Sequence, residues 1–556
     1  LLVATGPTEE ISILKKLKKR KAPVPGWIAI LVVSLACSQA TTTKIPSSPT
    51  EPTIPVNASP TSAPTRIRQS RSQILIGTEY IGIENSNRVR RLAELLAPIG
   101  LQMAKPLPEN FAWGNMQTAP DAPIDFGRLD VFVKEFQDAG FREFLIALKS
   151  GSSWGSKDFS ALSSSNLTPK PAHMATYEQW IYSVVERYDA DGLEDMPGLL
   201  FPVRYYEIGS EFSSYEPEPV EDYLEMLEHA HAAAHRANEA VIVAHAAFLT
   251  TLAFADNPDP SEYETAFAGL PDQTHSLADI RQVLDRPDFF DVVNMHSLGD
   301  PYEIEAIVSW LNYEMARRGY QKGIIISDTA TTPFIGYGPA IACDRDPSLM
   351  GRIIPPAAEA DRCRLANYFS ELLAGDENTL RWTQAFAAED AVKKVVVSAD
   401  QGIVLINTAF TEDLSWLKLP LFQAGAGTSA WAGLIDVENR EYRASFYALQ
   451  QLIDHLNGYE SITRLALNDN RLRVYEVAQP EKRTWIAWYD PGRLILPDDP
   501  VPETTVQLDV GVSIITVEPL VTQFGQSTPN RTVLPTVGVL VTLPLTPTPI
   551  FIYREE

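Results

Sequence analysis

Two carboxylates stand out by where they fall. Glu211 closes a β-branched and aromatic run within Val203 to Ser214 (VRYYEIGSEFSS), and Asp328 closes Gly323 to Asp328 (GIIISD). A carboxyl group lends or takes a proton, and once ionised it attacks an electrophile or activates water, so two of them facing one bond supply both halves of an acid/base mechanism. In a strand of period two, Tyr205, Glu207, Gly209 and Glu211 point to one face. Glu207 lies deeper along that run and reads as an interior ion-pair or hydrogen-bond partner. Other chemistries have weaker support. His229, His231 and His235 share one Ala-rich helical stretch, but only His231 and His235 lie on a common face and no zincin glutamate separates them, so no metal site is expected. There is no Gly-rich phosphate loop and no nucleophilic Ser or Cys motif, so no cofactor is expected either.

The elements that must position these acids alternate. Apolar, strand-like runs fall at Gln73–Ile81, Leu101–Lys105, Phe144–Leu148, a run ending at Glu211, Val241–Phe248, Phe289–His296, Gly323–Asp328 and Ile403–Phe410. Helical spacing follows each of them, at Arg88–Leu96, Asp125–Ala139, Tyr177–Tyr188, Val220–Glu239, Leu277–Leu284, Tyr302–Arg318, Phe386–Ala399 and Tyr442–Leu456. Alternation of this kind implies a parallel sheet, and eight pairs predict a (β/α)8 TIM barrel over residues 71–457, interrupted by a long insertion from Pro333 to Thr379. Both acids then sit at the C-terminal lip, where barrel enzymes carry their catalytic groups. After Gly458 the period changes to two, which predicts a small antiparallel β-sandwich over 458–522. Residues 523–556 are rich in Pro and Thr and are expected to be a poorly ordered tail.

The N-terminal region reads as an address and a spacer. Lys15 to Lys21 form a basic patch and Trp27 to Ala36 a short apolar run, the dimensions of a secretory signal. Ser34-Leu35-Ala36-Cys37 resembles a lipoprotein processing box, so residues 1–37 are expected to direct export, with Cys37 lipidated, or with plain secretion or an uncleaved anchor as alternatives. Residues 38–70 are Thr, Ser and Pro and act as an extended linker. This places the protein outside the cytoplasm, secreted or tethered at a bacterial cell surface, in contact with a membrane only through that anchor. The 556-residue chain has a formal net charge of −25, which disfavours a nucleic-acid partner. Cys343 and Cys363 can form one disulfide, or stay as free thiols.

The word Glu207-Ile208-Gly209-Ser210-Glu211 resembles the Glu-Ile-Gly-Asn-Glu motif of the clan A glycoside hydrolases, which include β-xylosidases and α-iduronidases. The resemblance covers about residues 73 to 457. It implies a carbohydrate partner, Glu211 as acid/base, and a second acid at the end of the seventh strand, where Asp328 stands in place of the family's glutamate. An aspartate is one methylene shorter and withdraws its carboxylate by about 1.5 Å from the retaining separation of about 5–5.5 Å. Three outcomes follow: the backbone compensates and Asp328 attacks, the wider gap admits a water and the reaction inverts, or the barrel is a non-catalytic carbohydrate-binding or scaffolding form. Ser210 replaces the family's Asn, which contacts the sugar 2-hydroxyl. The resemblance also implies sugar contacts for His296 at the end of the sixth strand. Glu79 and Asn407 are further candidates for binding hydroxyls, and Trp113, Trp154 and Trp416, in loops after strands two, three and eight, for stacking on sugar rings.

Overall fold

A computed structural model describes residues 73–554 except 81–85, 161–163, 215, 251–252, 255–256, 269–273, 330–358, 414–429 and 438. Cys37, Cys343 and Trp416 lie outside the described residues, and with them the export segment, the linker and the expected bridge to Cys363, which is half-buried and free among the described residues. The described residues other than 159, 160 and 164 belong to one compact unit, which carries the strands and helices that position the site.

Eight parallel strands close a barrel in it: β1 (Leu75–Tyr80), β2 (Met103–Pro106), β3 (Glu143–Leu148), β4 (Tyr205–Glu211), β5 (Ile242–Leu249), β6 (Val292–Ser297), β7 (Gly323–Thr329) and β8 (Leu405–Phe410). Each pairs with its neighbours in sequence, and β1 closes the ring on β8. The helices after these strands are α1 (Ser86–Leu96), α2 (Gly127–Asp138), α3 (Met174–Arg187), α4 (Val220–Ala237), α5 (Leu277–Leu284), α6 (Glu303–Arg317), α7 (Glu377–Gln401) and α8 (Ala444–Leu456). Helix α7 extends beyond the expected stretch because the Asp376 side chain caps its first turn by accepting from the Thr379 amide. The expected insertion contributes a helix of its own, Glu359–Ala374.

The barrel is filled in layers. Met103, Leu145, Tyr205, Ala244, Val292, Ile325 and Leu405, one from each of seven strands, form an apolar floor. Two residues further along come Lys105, Glu207, Asn294, Ser327 and Asn407, all buried, because the period of two returns every second residue of a strand to the interior. The third layer carries Glu211, His296 and Asp328.

Strict alternation fails where that layer begins. Register between β4 and β5 shifts between Ile208 and Glu211, where Gly209 adopts a φ of 94°. Between β6 and β7 it shifts again, so that Met295 faces Ile326 but His296 faces Asp328. Such bulges are common at barrel rims, where they re-aim side chains.

The C-terminal region forms β9 (Ser461–Arg464), β10 (Leu472–Ala478), β11 (Arg483–Tyr489), β12 (Thr504–Asp509), β13 (Ile514–Pro519), β14 (Thr532–Pro535), β15 (Leu540–Leu545) and β16 (Ile550–Tyr553). A six-stranded antiparallel sheet in the order β9-β10-β11-β16-β13-β14 faces the β12-β15 pair across a core of Val474, Trp485, Ile515, Leu543 and Ile552. The expectation of a disordered tail from 523 is therefore corrected. Strand β16 sits in the middle of the large sheet, with Ile552 in its core and Phe551 stacked on His455 of α8 at 4.3 Å. The sheet docks on the barrel helices through Trp488, which donates to the Tyr302 hydroxyl at 2.8 Å, and through Glu518, which accepts from Gln451 of α8 at 2.7 Å. Among the described residues, no helix is long and apolar enough to cross a membrane.

Candidate active site

The two acids meet across the barrel mouth. One carboxylate oxygen of Glu211, one of Asp328 and a ring nitrogen of His296 lie within 4.8 Å of one another. The bulge in β7 accounts for this: it advances Asp328 to stand opposite His296, which offsets the missing methylene. The bulge is tied down by the Ser327 carbonyl, which accepts from Lys105 Nζ and from Asn407 Nδ2, both at 3.1 Å.

His296 links the upper layer to the one below. Its Nδ1 lies 2.7 Å from Glu211 Oε1 and its Nε2 2.9 Å from Ser327 Oγ. Ser327 donates its hydroxyl proton to Glu207 Oε1 at 3.1 Å, and Asn294 Nδ2 donates to the same oxygen at 2.8 Å. Because the Ser327 proton is committed to Glu207, Oγ accepts from His296, and Nε2 carries a hydrogen. Nδ1 and Glu211 then share one proton between them. That is a neutral acid beside a neutral imidazole, or a carboxylate beside an imidazolium.

Charge is balanced from beneath. Lys105 is buried with its Nζ 3.5 Å from Glu207 and 3.6 Å from Glu79. Burial alone would discharge it, but the carboxylates of Glu207, Glu79 and Asp328 hold its ammonium above the usual lysine range. Burial pushes the Asp328 carboxyl up; His296 and Lys105 pull it back, and the charges of Glu211 and Glu207 raise it again, leaving it above the ordinary aspartate value. Burial likewise leaves Glu79 well above the usual carboxylate range despite Lys105. For His296, burial favours the neutral ring, but the Glu211 hydrogen bond and charge outweigh it and hold the imidazole above its ordinary value.

The other expected site residues fall unevenly. Glu79 lies within β1 rather than beyond it and faces Lys105 inside the barrel. Asn407 is on β8, buried, and among the described residues none donates to its Oδ1. Ser210 is half-buried next to Gly209, its amide donating to Glu216 Oε1 at 2.7 Å. Trp113 is corrected: it is fully buried, packed against Trp154 at 4.6 Å and Tyr177 at 5.4 Å, with no face left for a sugar. Trp154 is half-buried, edge-on to Trp113, and its Nε1 donates to the Gln117 carbonyl at 2.9 Å. Both tryptophans brace the loops after β2 and β3. Lys105, Asn294 and Ser327 escaped the sequence reading, although each stands two residues after a residue of the apolar floor. A second buried group also escaped it. Glu216 and Glu218 come after β4, with Lys149 Nζ 4.0 Å from Glu216 and 3.5 Å from Glu109. Burial and the neighbouring Glu216 charge push Glu218 up to about 8.

Glu211, His296 and Asp328 also carry donor atoms that could meet on a metal ion, but the buried Lys105 ammonium beneath them already supplies the positive charge.

No protein-family model matches the sequence, and no curated protein sequence matches it. Solved structures do match. A family 39 glycoside hydrolase from the gut symbiont Bacteroides cellulosilyticus WH2 superposes with a TM-score of 0.54 at 13% identity, over 86% of this chain and 81% of that one. The structure of BuGH86wt in complex with neoagarooctaose superposes with a TM-score of 0.51 at 12% identity, over 86% of this chain and 74% of that one. At such identities the likeness is one of fold. The chain shares with these two structures the fold of a TIM barrel followed by an antiparallel β-sandwich.

Proposed function

We propose that the protein is a retaining glycoside hydrolase acting on an oligo- or polysaccharide, with Glu211 as acid/base and Asp328 as nucleophile. The observation that carries this reading is the approach of the two carboxylates to within 4.8 Å, oxygen to oxygen, at the barrel mouth. Retaining enzymes hold their carboxyl groups about 5–5.5 Å apart, whereas inverting ones need about 6.5–9.5 Å to fit a water. The shared proton at Glu211 and His296 suits a group that must first protonate the departing oxygen and then deprotonate water. Asp328 attacks the anomeric carbon from the other side, and Lys105 beneath it favours its ionised form. These two structures are described in terms of carbohydrate chemistry, one as a glycoside hydrolase and the other bound to neoagarooctaose, which supports a carbohydrate partner here. An export segment at residues 1–37 and a site outside the cytoplasm belong to the same proposal.

A panel of aryl glycosides tests it. The wild-type protein is expected to release the aryl group from at least one member with retention of anomeric configuration, monitored by proton NMR of the first product. Glu211→Gln and Asp328→Asn should each lower turnover by a factor of roughly 10³ or more while far-UV circular dichroism stays unchanged. Undiminished turnover in either variant removes that residue from the mechanism, and an inverted first product removes the nucleophile role of Asp328.

A further inference from the structure

We propose that His231, His235 and Asp291 form a divalent-metal site, of the zinc type, at the end of the barrel opposite the two carboxylates. Helix α4 places His231 and His235 one turn apart on the same face, with ring centroids 4.3 Å apart. A zinc site on the helix alone lacks a third ligand. The fold brings it from 56 residues away in Asp291, immediately before β6. His231 Nε2 lies 3.4 Å from Asp291 Oδ1, and His235 Nε2 lies 2.9 Å from Oδ2. One donor atom from each residue falls within 4.8 Å of the others. A tetrahedral zinc with bonds of about 2.0–2.1 Å separates its ligand atoms by about 3.3 Å, so small movements of the two rings admit the ion.

The hydrogen bonds around the cluster favour a cation at its centre. His235 Nδ1 lies 3.3 Å from the Glu239 carbonyl, an oxygen that only accepts, so Nδ1 carries the ring hydrogen. The Nε2 of the neutral ring then points its lone pair at a carboxylate. Two lone pairs facing each other at 2.9 Å need a positive centre between them, whether a proton or a metal ion. A ring hydrogen donated to a carbonyl behind the ligating nitrogen is the usual outer support of a metal-bound histidine. Asp291 is held from behind in the same way, since the Val243 amide of β5 donates to its Oδ2 at 2.7 Å. All three side chains are about a quarter exposed, at 21%, 25% and 30%, leaving the fourth position open to water. Two imidazoles and one carboxylate suit zinc, with nickel and copper as competitors by ligand type. The ion would clamp the last turns of α4 to the floor of β5 and β6. His229 on the same helix pairs instead with Glu178 at 2.5 Å.

The test uses the full chain, stripped with EDTA and dialysed against micromolar zinc sulfate at neutral pH, with bound zinc counted by atomic absorption and melting measured with and without the metal. The expected result is one zinc per chain that His231→Ala and His235→Gln each weaken by about tenfold or more. A rise in melting temperature on adding zinc should disappear in both variants, while His229→Ala and Glu211→Gln keep both the ion and the rise. Equal melting of the variants in EDTA shows that they fold. The proposal is overturned if either variant binds zinc as tightly as the wild type, if the ion is lost in Glu211→Gln instead, or if the wild type binds none, which would leave a proton between His235 and Asp291.

Discussion

At the scale of single residues, the path from Glu211 through His296 and Ser327 to Glu207 decides where the acid proton sits. Ser327 touches neither carbohydrate nor the reacting atoms in the proposed mechanism. It acts as a positioning residue, because its oxygen accepts from His296 Nε2 at 2.9 Å and so keeps Nδ1 directed at Glu211. Ser327→Ala removes that acceptor and frees the ring to change tautomer. The imidazolium loses a hydrogen-bond partner, so the pair surrenders its shared proton at lower pH, and the alkaline limb of the pH–rate profile moves down. A hydrogen bond of about 1–1.5 kcal/mol corresponds to a loss of about tenfold in kcat, with KM little changed. Ser327→Thr, which retains the hydroxyl, should restore the profile. Measuring kcat against pH for both variants checks this: a profile in Ser327→Ala that superposes on the wild type would dismiss the positioning role.

At the scale of elements, the bulges carry the site. Gly209 at a φ of 94° allows β4 to change register just before Glu211, and a Cβ there would lie 2.9 Å from Ala246 Cβ and 3.1 Å from the Glu216 carboxyl. Gly209→Ala is expected to cost on the order of 2 kcal/mol through backbone strain and crowding. It should also lower turnover, because Glu211 lies two residues downstream. A denaturant midpoint and a kcat equal to those of the wild type would mean that the bulge is not required. The same feature marks how far the sequence could be read. The eight barrel strands were legible because buried parallel strands are written as apolar runs, and Glu211, Asp328 and His296 were legible as polar ends of such runs. Lys105, Asn294 and Ser327 were legible in principle, by parity with Met103, Val292 and Ile325. Alternation could not reveal that Ser327 and Asp328, adjacent in sequence, both face the site, since a bulge has no signature of its own. Nor could it separate Trp113 from a sugar platform, because an aromatic residue in a loop looks the same whether the loop folds over it or leaves it exposed. Strand β15 was hidden by composition. Its burial alternates strictly, but Pro544 and the threonines around it read as tail until the pairing with β12 is known.

At the scale of the whole molecule, buried carboxyl groups set the response of stability to pH. Burial pushes Glu218 up to about 8 and Glu303 to about 7, while an unfolded glutamate titrates near about 4.3. Between those values the native state holds protons that the unfolded state has already lost, so stability falls as pH rises. His296 acts in the same direction. Its native value lies above that of a free imidazole, so its contribution is complete below about 6.5 and disappears as pH climbs through the native value. His245 opposes them, because burial lowers it to about 4, and the unfolded ring takes its proton first as pH drops from about 6.5. That opposition ends above the histidine range. Asp291 and Glu518 are lowered to about 2 and matter only in acid. Above about pH 6.5 the remaining contributions all have one sign. The melting temperature is therefore expected to fall steadily from about pH 6.5 to about pH 8.5, and Glu218→Gln, which fixes the neutral form, should flatten the upper part of that slope. Calorimetry across the window at constant ionic strength measures it, and a melting temperature that rises toward the alkaline end would mean that these buried acids are ionised in the native protein throughout.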